Sequence, residues 1–208
     1  MMGIKQINKY VNRFAVVGFL TVFVNTQAVA GEMPRNPSIQ SGNLTIQGKG
    51  TDHLKIQQKT NKSIINWDSF SVHKRGRVDF NMPSSKSSSL NRVTGSTPST
   101  IAGQINSNGK VLLINPNGVA ITKNGVVKTG SFAASTLDIK NSDFLKDVYS
   151  FERKKNSKGV ENSGKIIVGN GGNASLLGGY VNNTGTIMAR LGKVCLLYTS
   201  PSPRDRSS

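Results

Sequence analysis

The chain of 208 residues holds a single cysteine, Cys195. One thiol makes neither an internal disulfide framework nor a thiolate zinc site. Acidic residues are also scarce: 10 Asp and Glu stand against 27 Lys and Arg, a formal charge of +17. That balance would suit nucleic acid, anionic lipid or acidic glycans. Aromatic residues make up only 6% of the total, and they do not alternate with basic ones as a base-stacking surface requires. The basic residues are spread along the whole length, so they read as a solvated surface and no nucleic-acid partner is expected. The only long apolar run, Phe14 to Val24, is too short to span a bilayer comfortably. At 36% hydrophobic and 18% charged, the sequence is neither a coiled coil nor a charged disordered polymer.

What is plentiful is turn material: 22 Gly, 21 Asn and 24 Ser. Gly and Asn accept φ > 0 in tight turns, so the chain turns often. Short strands between frequent turns point to an all-β fold.

Residues 1–30 read as a secretory signal. Lys5, Lys9 and Arg13 form the positive region, Phe14 to Val24 the apolar core, and Ala28-Val29-Ala30 the small-x-small cleavage pattern. Cleavage is expected between Ala30 and Gly31, leaving +14 on 178 residues. The alternative is a retained membrane anchor. An exported protein without disulfides must draw stability from elsewhere, and a repeating stacked core is one solution.

Strand character recurs at Leu44 to Ile46, Leu54 to Gln57, Ile64 to Val72, Val78 to Phe80, Val111 to Ile114, Val119 to Ile121 and Val126 to Val127. Ile65 and Trp67 share one parity, Phe70 and Val72 the other. A bend near Asp68-Ser69 would turn both pairs inward, with Trp67 and Phe70 as core residues at the amino-terminal end. Met82 to Ser89, with Pro83, reads as a loop or edge segment. Phe144, Leu145, Val148 and Phe151 recur at helical spacing, with Ser142 as N-cap, in either an amphipathic excursion or a surface loop. Asn162-Ser163-Gly164-Lys165-Ile166 repeats as Asn183-Thr184-Gly185-Thr186-Ile187, 21 residues on. Leu176-Leu177 and Leu196-Leu197 repeat at a spacing of 20 residues. A period near 20 residues marks a solenoid, and the leucine spacing of leucine-rich repeats is absent. A parallel β-helix fits best. Residues 198–208 break the pattern, and Thr199 to Ser208 hold no apolar residue to bury; the stretch looks like translated library-adapter sequence after a truncated frame, or a disordered tail.

Four blocks carry a specific resemblance. They are Ile64-Ile65-Asn66-Trp67-Asp68-Ser69-Phe70, Leu90-Asn91-Arg92-Val93-Thr94-Gly95, Ile105 through Asn115-Pro116-Asn117-Gly118-Val119, and Ala133-Ala134-Ser135-Thr136-Leu137-Asp138-Ile139. In this order they resemble the two-partner secretion domain that opens filamentous-haemagglutinin, haemolysin and high-molecular-weight-adhesin exoproteins. The adhesin branch is nearest, and the resemblance runs from Asn36 to Leu197. An Asn-Pro-Asn-Leu motif present in some branches is absent.

The resemblance implies a right-handed parallel β-helix over 31–197, with an amino-terminal cap and small extra-helical elements. It implies export through the periplasm and recognition by an outer-membrane β-barrel transporter with periplasmic domains. The product is then secreted or held at the surface of a Gram-negative bacterium. An adhesin or haemagglutinin is expected, with a host receptor or glycan met by the region downstream. Cytolysins and contact-dependent toxins carry the same kind of domain. Asn115, Pro116, Asn117 and Gly118 build a sharp turn by their own chemistry. In the unfolded state they also offer polar groups to the transporter. Asn115→Ala, which leaves the backbone permissive, is expected to lower secretion more than stability.

No enzyme, cofactor or metal is expected. Asp52, Asp68, Asp79 and Asp138 are scattered, His53 and His73 lack a metal-ligand spacing, and Ser84 to Ser89 hold no nucleophile elbow. The alternative is a free-standing glycan-binding or glycan-cleaving β-helix, which rests on fold analogy alone.

Overall fold

The computed structural model describes residues 32–153 and 158–198. The expected signal segment with Ala30 and Gly31, residues 154–157 and residues 199–208 lie outside the described residues. Tyr198, expected to begin the tail, instead ends the last strand and pairs with Gly178.

Strands β1 (Ser38–Ser41) and β2 (Leu44–Gln47) form an amino-terminal cap. Coils follow: β3 (His53–Gln58) with β4 (Lys62–Trp67), then β5 (Arg77–Asn81) with β6 (Ser88–Val93). Next come β7 (Ser99–Ile101), β8 (Gln104–Ser107) and β9 (Lys110–Ile114), then β10 (Val119–Ile121), β11 (Val126–Thr129) and β12 (Ser131–Ser135). An excursion of β13 (Asp138–Ile139), α1 (Asn141–Leu145) and β14 (Phe151–Glu152) intervenes. The coils resume with β15 (Val160–Asn162), β16 (Lys165–Val168) and β17 (Asn173–Gly178), and then β18 (Val181–Asn183), β19 (Thr186–Ala189) and β20 (Lys193–Tyr198).

Stacking these coils makes three sheets, a parallel β-solenoid of about six turns. The first sheet runs β4-β6-β9-β12-β17-β20, the second β7-β10-β15-β18, and the third β3-β5-β8-β11-β16-β19. Every pairing within those series is parallel. The cap strands pair antiparallel, β1 on β4 and β2 on β3.

Alternation explains the core. Odd positions of β9 (Val111, Leu113) and even positions of β12 and β17 (Phe132, Ala134, Ala174, Leu176) share the interior. The backbone bends at Asp68, and Ile65, Trp67, Phe70 and Val72 all enter this interior. Each large apolar residue contributes about 1.5–3 kcal/mol when fully buried.

The serine-rich segment differs at its end from the loop or edge segment expected of it. Pro83 lies in a bend beside the Ser84–Ser87 turn, but Ser88 and Ser89 already belong to β6 and are buried. Burial of Ser89 is tolerable because its hydroxyl has partners in Ser63 and Asn91. Ser63 Oγ donates to Gln58 Oε1 at 2.6 Å and lies 3.0 Å from Ser89 Oγ, within hydrogen-bond distance.

The excursion packs on the outer face of the first sheet. Phe144 is fully buried there against Ile64, Leu90, Leu112 and Ile114. The helix is only five residues long, so Leu145 and Val148 face solvent. Its N-cap is Lys140, not Ser142, because the backbone leaves β13 extended and enters the helix two residues earlier.

Candidate functional site

Asn115 to Gly118 form the corner between β9 and β10, where the backbone passes from the first sheet to the second. Pro116 presets φ for the turn, and Gly118 N–H donates to Asn115 O at 3.0 Å to close it. Gly118 has φ +115°, a conformation that L side chains rarely adopt.

The Asn115 side chain is wholly buried and fully used. Its Nδ2 donates to Thr97 O at 2.9 Å and Ser99 Oγ at 3.0 Å. Its Oδ1 accepts from Asn117 N at 3.0 Å and Asn117 Nδ2 at 3.1 Å. Half-buried Asn117 also donates through Nδ2 to Gly95 O at 2.8 Å. Thr97, Ser99 and Gly95 belong to the preceding coil. The following coil is joined by Asn115 N to Ser135 O at 2.9 Å and Lys158 N to Pro116 O at 3.1 Å. The motif therefore rivets three coils together. Asn115→Ala removes four hydrogen bonds from a buried corner, so a substantial loss of stability is expected beside any loss of secretion.

Outside the corner lies a shallow groove lined by Pro98, Asn117, Gly118, Lys158 and Tyr180. The Tyr180 ring lies on Gly159, where a Cβ would collide with it. Tyr180 OH donates to Glu161 Oε1 at 2.6 Å, and that bond, with some burial, raises the phenol above its usual range.

Trp67 and Phe70 meet edge to face, with centroids 5.4 Å apart. Trp67 Nε1 donates to Asn91 Oδ1 at 3.1 Å, and Asn91 Nδ2 reaches Ser89 Oγ at 3.2 Å. The polar tip of the indole is thus satisfied inside the coil stack.

Three features escape a reading by spacing. His53 Nε2 lies 2.7 Å from Asp79 Oδ2, and His73 Nε2 lies 3.0 Å from Asp52 Oδ1. Burial pushes the Asp79 carboxyl up, but bonds from Arg77, Asn106 and His53 outweigh it and hold the group below its usual range. Arg92 is the third feature. Its Nε donates to Asp138 Oδ1 at 2.8 Å, with further bonds to Ile139 O at 2.6 Å and Asn141 Oδ1 at 2.9 Å. The one available signal for it is its place in the Leu90 to Gly95 block.

Known proteins resemble this chain. The family model of the TPS secretion domain matches residues 30–196. Two curated relatives, both named heme/hemopexin-binding protein of Haemophilus influenzae, are similar. One is 32% identical over 64% of this chain and 14% of its own length. The other, from strain Rd KW20, is 33% identical over 68% of this chain and 16% of its own length. This chain thus spans a small part of those relatives. Among solved structures, the HMW1 secretion domain from Haemophilus influenzae superposes with TM-score 0.75 at 35% identity, covering 79% of this chain and 44% of that one. With a parallel coil stack, an antiparallel cap and a family model matched along most of its length, the chain belongs to the two-partner secretion family.

Proposed function

We propose that this chain directs the export of a large adhesin-type exoprotein, through recognition of its unfolded form by an outer-membrane β-barrel transporter. The observation carrying this reading is the state of Asn115. Folded, all its side-chain hydrogen-bonding capacity is spent within the corner. Unfolded, the same amide is free to bind a transporter. Recognition at Asn115 to Gly118 therefore precedes closure of the corner, and coil formation outside the cell withdraws the motif from the transporter. The adhesin reading is supported by 35% identity to the HMW1 secretion domain.

A second cargo reading has its own support. The two curated relatives are named for binding heme and hemopexin, so a heme-carrier receptor is the competing exoprotein. Under either reading this chain is non-catalytic. Two of its more buried acidic groups serve structure: Asp79 pairs with Arg77 and Asp138 anchors Arg92.

The test is co-expression with and without the cognate transporter. Folded, protease-resistant protein is expected in the medium only with the transporter. Equal release without it would overturn the reading. Adding soluble heme–hemopexin or epithelial cells to the full exoprotein separates the two cargo classes.

A further inference from the structure

Four Asn-Gly dipeptides occur in the sequence, Asn108-Gly109, Asn117-Gly118, Asn124-Gly125 and Asn170-Gly171. All four lie at coil corners or turns. Asn-Gly is the dipeptide most open to succinimide chemistry, because glycine leaves the following amide unhindered. In that reaction the glycine nitrogen attacks the Asn Cγ. A new N–Cγ bond forms, the Cγ–Nδ2 bond breaks, and ammonia leaves. Water then opens the ring at either carbonyl to give aspartate or isoaspartate. One water enters, one ammonia departs, and no electrons are transferred.

The fold opposes the first step at each site. Gly109 N–H donates to Ser107 Oγ at 3.0 Å, and Gly118 N–H to Asn115 O at 3.0 Å. Gly125 N–H donates to Thr122 O at 2.8 Å, and Gly171 N–H to Arg190 O at 2.9 Å. At Asn117 the side-chain amide is pinned as well, by Gly95 O and Asn115 Oδ1.

The consequences differ among the sites. Asn124 and Asn170 are exposed, and a carboxylate there meets water. At Asn117 the amide nitrogen faces two acceptor oxygens, at 2.8 and 3.1 Å. Replacing that NH2 by a carboxylate oxygen removes both bonds and sets three oxygens against one another. Isoaspartate also lengthens the backbone by one atom inside the turn that Gly118 closes. Asn108 is intermediate, since its Nδ2 donates only to Met82 O at 2.8 Å while its Oδ1 accepts from Met82 N at 2.9 Å.

We propose that Asn117 is a deamidation site, protected by the folded corner and open in the unfolded chain, whose modification prevents the corner from forming. A molecule held unfolded thus has a chemical lifetime at this position. The inference concerns the polypeptide itself and stands whether or not the motif binds a transporter.

The test ages the purified protein in urea at mildly alkaline pH, dilutes it to refold, and digests it with protease. Peptide mapping then compares the resistant fraction with the total. Acid at 124 and 170 is expected equally in both fractions, and acid at 117 is expected to be depleted several-fold in the resistant one. Equal proportions at 117 would overturn the proposal. A folded sample aged in parallel should modify Asn117 about tenfold or more slowly than the denatured one, because the corner opens only with its coil. Matching rates would also overturn it. Encoded Asn117→Asp should lower the denaturation midpoint or abolish protease resistance, while Asn124→Asp matches the parent. A parental midpoint in Asn117→Asp sinks the idea.

Discussion

Arg92 and Asp138 are 46 residues apart in sequence and meet at 2.8 Å between β6 and the start of the excursion. Both are mostly buried, with side-chain exposures of 13% and 20%. The same guanidinium holds Ile139 O and Asn141 Oδ1, so one planar group fastens the root of the excursion to the coil stack. Arg92→Ala is expected to cost about 2–3 kcal/mol, the scale of hydrogen bonds to a charged group. Arg92→Lys recovers little of this, because an ammonium cannot make the fork. A denaturant midpoint unchanged in both variants would mean that apolar contacts alone hold the excursion.

Phe144 supplies those apolar contacts. Phe144→Ala is expected to cost on the order of 3 kcal/mol, at the low end for a buried aromatic because the excursion is free to lift away. Its exposed neighbour Leu145 should tolerate alanine within about 0.5 kcal/mol. Limited proteolysis should cut the Phe144 variant first between 140 and 153. First cleavage elsewhere would show that the excursion does not open separately.

At the other end of the stack, two substitutions separate packing from hydrogen bonding. Trp67→Ala should cost on the order of 3–5 kcal/mol. Trp67→Phe keeps most of the packing against Phe70 but strands Asn91 Oδ1, at a cost of about 1–3 kcal/mol. Midpoints followed by far-UV circular dichroism should rank parent, Phe, Ala. An Ala variant as stable as the parent would place the ring outside the core.

Acid should find the third sheet through Asp79. Its carboxyl titrates lower in the folded state than in the unfolded one. A depressed folded value means that its stabilisation is present above the unfolded value of about 3.9, and is lost as pH falls through the lower folded value. The parent midpoint should drop below about pH 4. Asp79→Asn should start from a lower midpoint and drop less over the same range. Parallel pH curves would count against the assignment.

For the corner, Asn115→Ala should depress the midpoint and the secretion yield together, since four hydrogen bonds leave with the amide. Pro116→Ala is the milder probe, costing about 0.4–1 kcal/mol through the entropy of the unfolded state. Secretion lost in Pro116→Ala at a nearly parental midpoint would point to transporter contact at that residue.

The stacked coils are legible in the sequence where equal spacing meets equal chemistry. Asn162 and Asn183 occupy matching registers, and their side chains bond at 2.7 Å, so the 21-residue repeat is a direct image of one turn. Leu176 and Leu177 likewise face Leu196 and Leu197. The excursion is harder to read, because only Phe144 of its helical pattern is buried. The His53–Asp79 pair is invisible because it crosses between stacked strands: His53 lies opposite Arg77, and Asp79 lies two residues along. No local motif encodes such a lateral contact. The buried serines mislead because a polar residue faces inward only if its partners are already in place, and these come from the coil before.

The antiparallel cap gives the assembly a polarity that concerns other copies of the molecule. A parallel ladder is a natural template for any strand of the same direction. At the amino-terminal end, β1 and β2 reverse that direction and replace the ladder edge with a mismatched one. The reversal covers the first and third sheets, whereas the second begins with β7 and carries no reversed strand among the described residues. In the first and third sheets a strand arriving head to tail from another copy meets an edge of the wrong direction, which disfavours extension of the stack through that face.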